Sequence, residues 1–155
     1  MDFKARADRI DESITRRLAK LGVPFIRIAL GVVFLWFGAL KFLPDLSPAQ
    51  GLATRTIERL TFGLAGPAVS LPVLASWEAL IGLGLVCGVF LRGTLLLLAI
   101  QMLGTMMPLV LFPAETFTRF PYAPTLEGQY IIKNIVLIGA AMVVGGTVRG
   151  GRLVP

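Results

Sequence analysis

A four-helix membrane bundle is what this chain of 155 residues predicts, and three observations carry the prediction. Hydrophobic residues make up 55% and charged residues 15%, with a mean hydropathy of +0.80, too apolar for an ordinary soluble domain. Four apolar stretches recur along the chain, and at about 20 residues per span they take up roughly 80 residues, leaving short loops and no second domain. One stretch, from Leu71 to Leu91, holds a single acid, Glu78. An ionised carboxylate near a bilayer centre costs at least about 2.5 to 3.5 kcal/mol, so it persists where it meets a cation, trapped water or the bundle interior.

The first element is an amphipathic helix over residues 1–22. Phe3, Ala7, Ile10, Ile14, Leu18 and Leu21 recur at steps of three and four, with Lys4, Arg9, Asp11, Glu12 and Arg16 on other faces. Such a helix is expected on the cytoplasmic leaflet or packed beneath the bundle. Arg16-Arg17 before an apolar run is similar to a twin-arginine export signal, but the acidic upstream segment, the length of the run and the lack of a small-residue cleavage site argue for a retained span.

The transmembrane domain is expected over residues 23–148, with spans at about 24–43, 69–91, 94–112 and 129–147. Pro24 suits the opening turn of the first span, Pro44 ends it, and Arg27 can snorkel to the inner interface. Ser47-Pro48-Ala49-Gln50 reads as a helix start for a short interfacial helix, with Ala49, Leu52, Ala53, Ile57, Leu60 and Leu64 on one face and Arg55, Glu58 and Arg59 away from it. Gly63 and Gly66-Pro67 break that helix, and Leu91-Arg92-Gly93-Thr94 makes the turn between spans two and three. Pro108 interrupts the far end of span three, its freed carbonyl to be satisfied by Thr105 or a neighbouring helix. A loop over residues 113–128 leads into span four, and residues 149–155 form a basic tail.

The net charge of +6 is a matter of topology, since basic residues gather beside apolar segments and no nucleic-acid surface forms. One side carries Lys4, Arg6, Arg9, Arg16, Arg17, Lys20, Arg27, Arg92, Arg149 and Arg152, whereas the other carries Arg55, Arg59 and Arg119. That bias puts both termini in the cytoplasm. Cys87 is the single cysteine and there is no histidine, which excludes disulfides within the chain, CxxC chemistry, His-ligated haem and the usual zinc sites. No metal is expected. In its apolar setting Cys87 reads as a small inert hydrophobe.

The polar residues left in the membrane form the candidate site: Lys41 near the end of span one, Glu78 in span two, Gln101 in span three, and Lys133 and Asn134 at the start of span four. Topology places Lys41, Glu78 and Lys133 in the same outer half, within reach of a lysine stem. Two cations against one acid point to a pocket for a polar headgroup, such as a quinone carbonyl or an organic anion. The plainer alternative is that these groups only hold the helices together. Gly31 and Gly38 on span one, Gly84 and Gly88 on span two, and Gly139, Gly145 and Gly146 on span four read as close-packing sites, chiefly inside the bundle. Trp77 marks either the outer aromatic belt or a shield for Glu78.

The run Arg27-Ile-Ala-Leu-Gly-Val-Val-Phe-Leu-Trp-Phe-Gly-Ala-Leu-Lys41-Phe, then Trp77-Glu78 with Gly82, Gly84 and Gly88, then Glu127-Gly-Gln-Tyr-Ile-Ile-Lys133-Asn134, resembles the DoxX family of four-helix membrane proteins over roughly residues 24–147. The resemblance implies a bacterial-type plasma (inner) membrane protein. It also implies kinship with the small subunit of thiosulfate:quinone oxidoreductase and with membrane complexes that handle oxidative or thiol stress. The N-terminal helix and the segment from Ser47 to Gly66 look additional to the shortest members. The leading expectation is thus a subunit supporting a redox or stress-related assembly, not an enzyme on its own. It would take electrons from a soluble or membrane partner, with no intrinsic cofactor, a quinone or lipid as candidate ligand, and self-association left open. The rivals are a small carrier or exporter using the Glu/Lys site, against which no inverted repeat is visible, and a purely structural or assembly factor.

Overall fold

The computed structural model describes residues 3–43, 46, 47 and 50–151, with Phe3 and Ala5 described by their backbone alone. The protein is an all-α polytopic bundle of four membrane-spanning helices. α1 runs Phe3–Leu40, α3 Pro67–Cys87, and α4 Leu91–Met106, which α5, Pro108–Leu111, continues across a break at Met107. α7 runs Leu126–Thr147. A span of 21 residues, such as α3 or the α4–α5 pair, is about 31 Å long, enough to cross the hydrocarbon layer. The lipid bilayer is therefore the solvent for Trp36, Leu103, Val136 and Met142, which all face outward from the bundle. In ring order the helices run α1, α3, α4, α7, each packing chiefly on its two neighbours.

α1 runs without a break across the expected division at residues 22–24. The amphipathic segment and the first span are one helix of 38 residues, with Pro24 inside it and not in an opening turn. Proline removes one amide, here the partner of the Lys20 carbonyl, and the helix continues past it. Ile10, Ile14, Leu18 and Leu21 of the predicted stripe are all exposed, so that stripe packs on nothing in the described chain. α1 ends at Leu40, short of the expected residue 43, and Lys41, Phe42 and Leu43 close a tight turn on the carbonyls of Gly38, Ala39 and Leu40. Pro44, Pro48, Ala49, Arg152 and the Phe3 side chain, all used in the sequence reading, lie outside the described residues.

α2 spans Gln50–Leu60 and has the predicted charged face, Arg55, Glu58 and Arg59 being exposed. Its inner face differs. Leu52, Thr54 and Thr56 are buried, whereas Leu60 and Leu64 are open. Threonine is tolerated inside because Thr54 donates to the Gln50 and Gly51 carbonyls and Thr56 to that of Leu52. α3 starts with Pro67 at its first position, two residues before the expected start, and ends at Gly88, whose φ of 70° only glycine adopts freely. The α3–α4 turn is thus Gly88–Phe90, and Arg92, Gly93 and Thr94 belong to the opening of α4. At the Pro108 break the Gly104 carbonyl accepts from the Met107 amide at 3.2 Å, while Thr105 turns back to Gln101 at 2.9 Å.

The expected loop over residues 113–128 is more ordered than its composition suggests. It holds α6 (Pro113–Thr116) and a small antiparallel pair, β1 (Phe117–Arg119) with β2 (Ala123–Pro124). Thr125 caps α7, accepting from the Gly128 amide at 3.2 Å while donating to the Glu115 carbonyl at 2.7 Å.

Glycines set the α1–α3 contact. A β-carbon on Gly82 would sit 2.6 Å from the Leu35 amide nitrogen and 2.7 Å from the Gly31 carbonyl oxygen, and one on Gly31 would sit 2.9 Å from the Gly82 carbonyl oxygen. This backbone-to-backbone approach is what small residues allow in lipid, where dispersion replaces the hydrophobic drive between helices. Of the other predicted sites, Gly38 and Gly84 are also internal, whereas Gly139 faces open space. The core on the side of the α3–α4 turn comprises Leu30, Phe34, Ile81, Leu85, Leu98, Met102, Ala140, Ala141 and Val144.

Candidate functional site

Gly38 fixes where the polar site forms. A β-carbon there would meet Glu78 Cβ at 3.0 Å and the Ala75 carbonyl oxygen at 3.2 Å, so α3 lies directly against this turn of α1. One turn further on, Lys41 points back at the same face. Its Nζ lies 2.7 Å from Glu78 Oε2 and also donates to the Phe37 carbonyl at 3.3 Å. The other carboxylate oxygen accepts from Gln101 Nε2 at 3.1 Å. Glu78 is 8% exposed, and α3, the turn after α1 and α4 thus supply the acid, the base and the amide. The pair is dry enough that its attraction must offset desolvation, which the second hydrogen bond helps it do.

Because α1 ends two residues past Gly38, the stretch Pro67–Leu74 of α3 extends about 12 Å beyond it. α2 covers this stretch without filling the space. A cavity of about 490 Å³ remains among α2, α3 and α4, reaching from Lys41, Glu78 and Gln101 up to Ser70 and walled mainly by apolar side chains. Trp77 forms part of the wall and donates from its indole nitrogen to the Leu97 carbonyl at 3.2 Å, so it stands beside Glu78 and bridges α3 to α4.

The predicted site therefore divides. Lys41, Glu78 and Gln101 meet. Lys133 does not join them: it is exposed, lying over the Tyr130 ring at 5.5 Å from the centroid. Two residues along a helix is about 200° of rotation, so Ile131, which does line the cavity, turns Lys133 away from it. Asn134 is half-buried and lies outside the wall. With one acid and one base, the cavity is neutral, which removes the argument for an organic anion drawn from two cations.

The sequence reading missed Ser70 altogether, and the partners of Arg27 and Arg55. Ser70 precedes Trp77 and Glu78 by seven and eight residues, a spacing that puts all three on neighbouring faces of one helix and was legible. Arg27 is half-buried and donates to the Leu85 carbonyl at 2.6 Å and to that of Val86 at 3.3 Å, a cation closing the C-terminus of α3 in place of the expected free snorkelling. Arg55 holds Glu115 by two hydrogen bonds at 2.8 and 2.5 Å and sits 5.5 Å from the Phe112 ring centroid, tying α2 to α6. Donating to the Glu115 carboxylate raises the Arg55 guanidinium above its ordinary value. Nothing in the sequence links residues sixty positions apart.

Searches of curated proteins and of solved structures find no match to this chain. The DoxX family matches residues 22–112, a stretch that contains Lys41, Glu78 and Gln101 but stops before Lys133 and Asn134. That match spans more than half of the chain and agrees with the four-helix architecture, and the chain belongs to the DoxX family.

Proposed function

We propose that this protein is a membrane subunit that supports a redox or stress-related assembly of a bacterial-type plasma membrane, holding a neutral amphiphile, a quinone or a lipid, between its helices. The observation that carries the reading is the cavity itself: about 490 Å³, apolar along its length, and ending on a neutralised Lys41–Glu78 pair with Gln101. Its volume lies in the ordinary range for small-molecule sites, where a few polar groups orient a mainly apolar ligand. A neutral carbonyl or hydroxyl head suits donors already balanced by one carboxylate. The excess of Lys and Arg beside the α1 N-terminus and the α3–α4 turn supports a topology with both termini in the cytoplasm and the cavity in the outer half. With no histidine and one cysteine, the chain would depend on a partner protein for electrons.

Trp77 reports directly on the cavity once the exposed Trp36 is replaced by Phe. Titrating this variant with a short-chain quinone in mild detergent should quench Trp77 emission saturably. Adding Gly104→Leu, which grows a side chain into the cavity where a β-carbon meets nothing within 4 Å, should abolish the saturation without unfolding the protein. Quenching that is linear in quinone, or unchanged by Gly104→Leu, would rule the quinone out. Purification from native membranes should recover a partner protein or a bound quinone or lipid; a clean monomer carrying none of these would count against the assembly.

A further inference from the structure

Four hydroxyl side chains stand in the cavity wall, and they differ in where their protons go. Thr56 donates to the Leu52 carbonyl at 2.7 Å, Thr61 to that of Ile57 at 2.8 Å, and Thr105 to that of Gln101 at 2.9 Å. Each closes on the carbonyl four residues back, the usual resort of a helical hydroxyl. Ser70 is 3% exposed, and its Oγ is without a hydrogen-bond partner among the described residues. The Gly66 carbonyl, four residues back, accepts the amides of Val69 at 3.1 Å and Ser70 at 2.9 Å but no bond from the Ser70 hydroxyl.

The opposite end of the cavity also has donors to spare. An ammonium carries three protons, and among the described residues Lys41 directs them at Phe37 and Glu78 with one left; the Gln101 amide gives one of its two to Glu78. Ser70 and Glu78 are eight residues apart on α3, about 12 Å along the axis, and the wall between them includes Val73 and Leu74.

We infer that the cavity takes an elongated neutral amphiphile bearing an oxygen acceptor at each end, one met by Lys41 and Gln101 and the other by Ser70, with an apolar middle of about ten carbons spanning the roughly 12 Å between them. This rests on the proposed ligand cavity and narrows its occupant. The two carbonyls of a simple quinone lie across one six-membered ring and its isoprenoid tail carries no acceptor, so an acyl-chain lipid with an ester or amide head and a distal hydroxyl fits the two ends better.

A matched pair of probes, methyl decanoate and methyl 10-hydroxydecanoate, isolates the second acceptor. Binding is read from Trp77 emission in the Trp36→Phe background, with and without Ser70→Ala. The hydroxy ester should bind about fivefold tighter than the plain ester, the yield of one neutral hydrogen bond. Ser70→Ala should erase that advantage and leave methyl decanoate unaffected. Equal binding of the two esters, or an advantage that survives Ser70→Ala, overturns the inference while leaving the cavity as a ligand site. Binding of neither ester overturns both.

Discussion

Toward the α3–α4 turn, α1 and α3 touch backbone to backbone through Gly31 and Gly82, Arg27 closes the end of α3, and the core is filled. Toward α2 the same two helices part company, because α1 stops at Leu40, and the space that α1 would have occupied is roofed by an 11-residue helix over a cavity. Glycine has opposite meanings at the two ends. Gly82 lets a neighbour in, whereas Gly104 borders empty space. The buried acid, its lysine and amide, and a serine without a partner among the described residues all border the cavity, whereas the filled half joins close backbone packing to the Arg27 hydrogen bonds at its end.

The largest effect is expected where the two halves meet. Lys41→Met leaves Glu78 buried without its cation and should lower stability by about 3 to 5 kcal/mol, measured by unfolding in mixed micelles, with Lys41→Met/Glu78→Leu recovering most of the loss. Recovery by the double variant would show that the pair is not retained for stability, which strengthens its reading as part of a ligand site. In the filled half, Gly82→Ala puts a methyl group against backbone atoms of α1 and should cost about 1 to 3 kcal/mol. The same substitution at Gly104 meets nothing and should stabilise the protein by about 0.5 to 1 kcal/mol, from reduced freedom of the unfolded chain. Equal effects at the two glycines would break the distinction between the halves. Smallest of all, Lys133→Met should change stability by less than about 0.5 kcal/mol and leave quinone or ester binding intact, since its ammonium lies outside the cavity. A loss of binding there would return the second lysine to the site.

Much of the site was legible because charge in an apolar run has few places to go. Lys41, Glu78 and Gln101 stood out by chemistry alone, and the depth argument that grouped them with Lys133 fails only in rotation about α7. Depth follows from counting residues. Rotation depends on which face of α7 its neighbours cover, and a helix apolar on nearly every face does not announce it. Ser70 was missed because a serine near the end of a span is ordinary; its interest arises from a buried hydroxyl without a hydrogen-bond partner among the described residues, a matter of geometry.

Composition and hydropathy by themselves determined the class of this protein, the number of spans and roughly where they lie, since the bilayer imposes length and apolarity on every crossing helix, and the motifs around Lys41, Glu78 and Lys133 carried the family likeness. Tertiary structure alone decided that Arg27 closes α3, that Arg55 reaches Glu115, and that only one of two lysines meets the acid. Each of these turns on the angular setting of one helix against another, which is fixed by contacts between residues far apart in the chain.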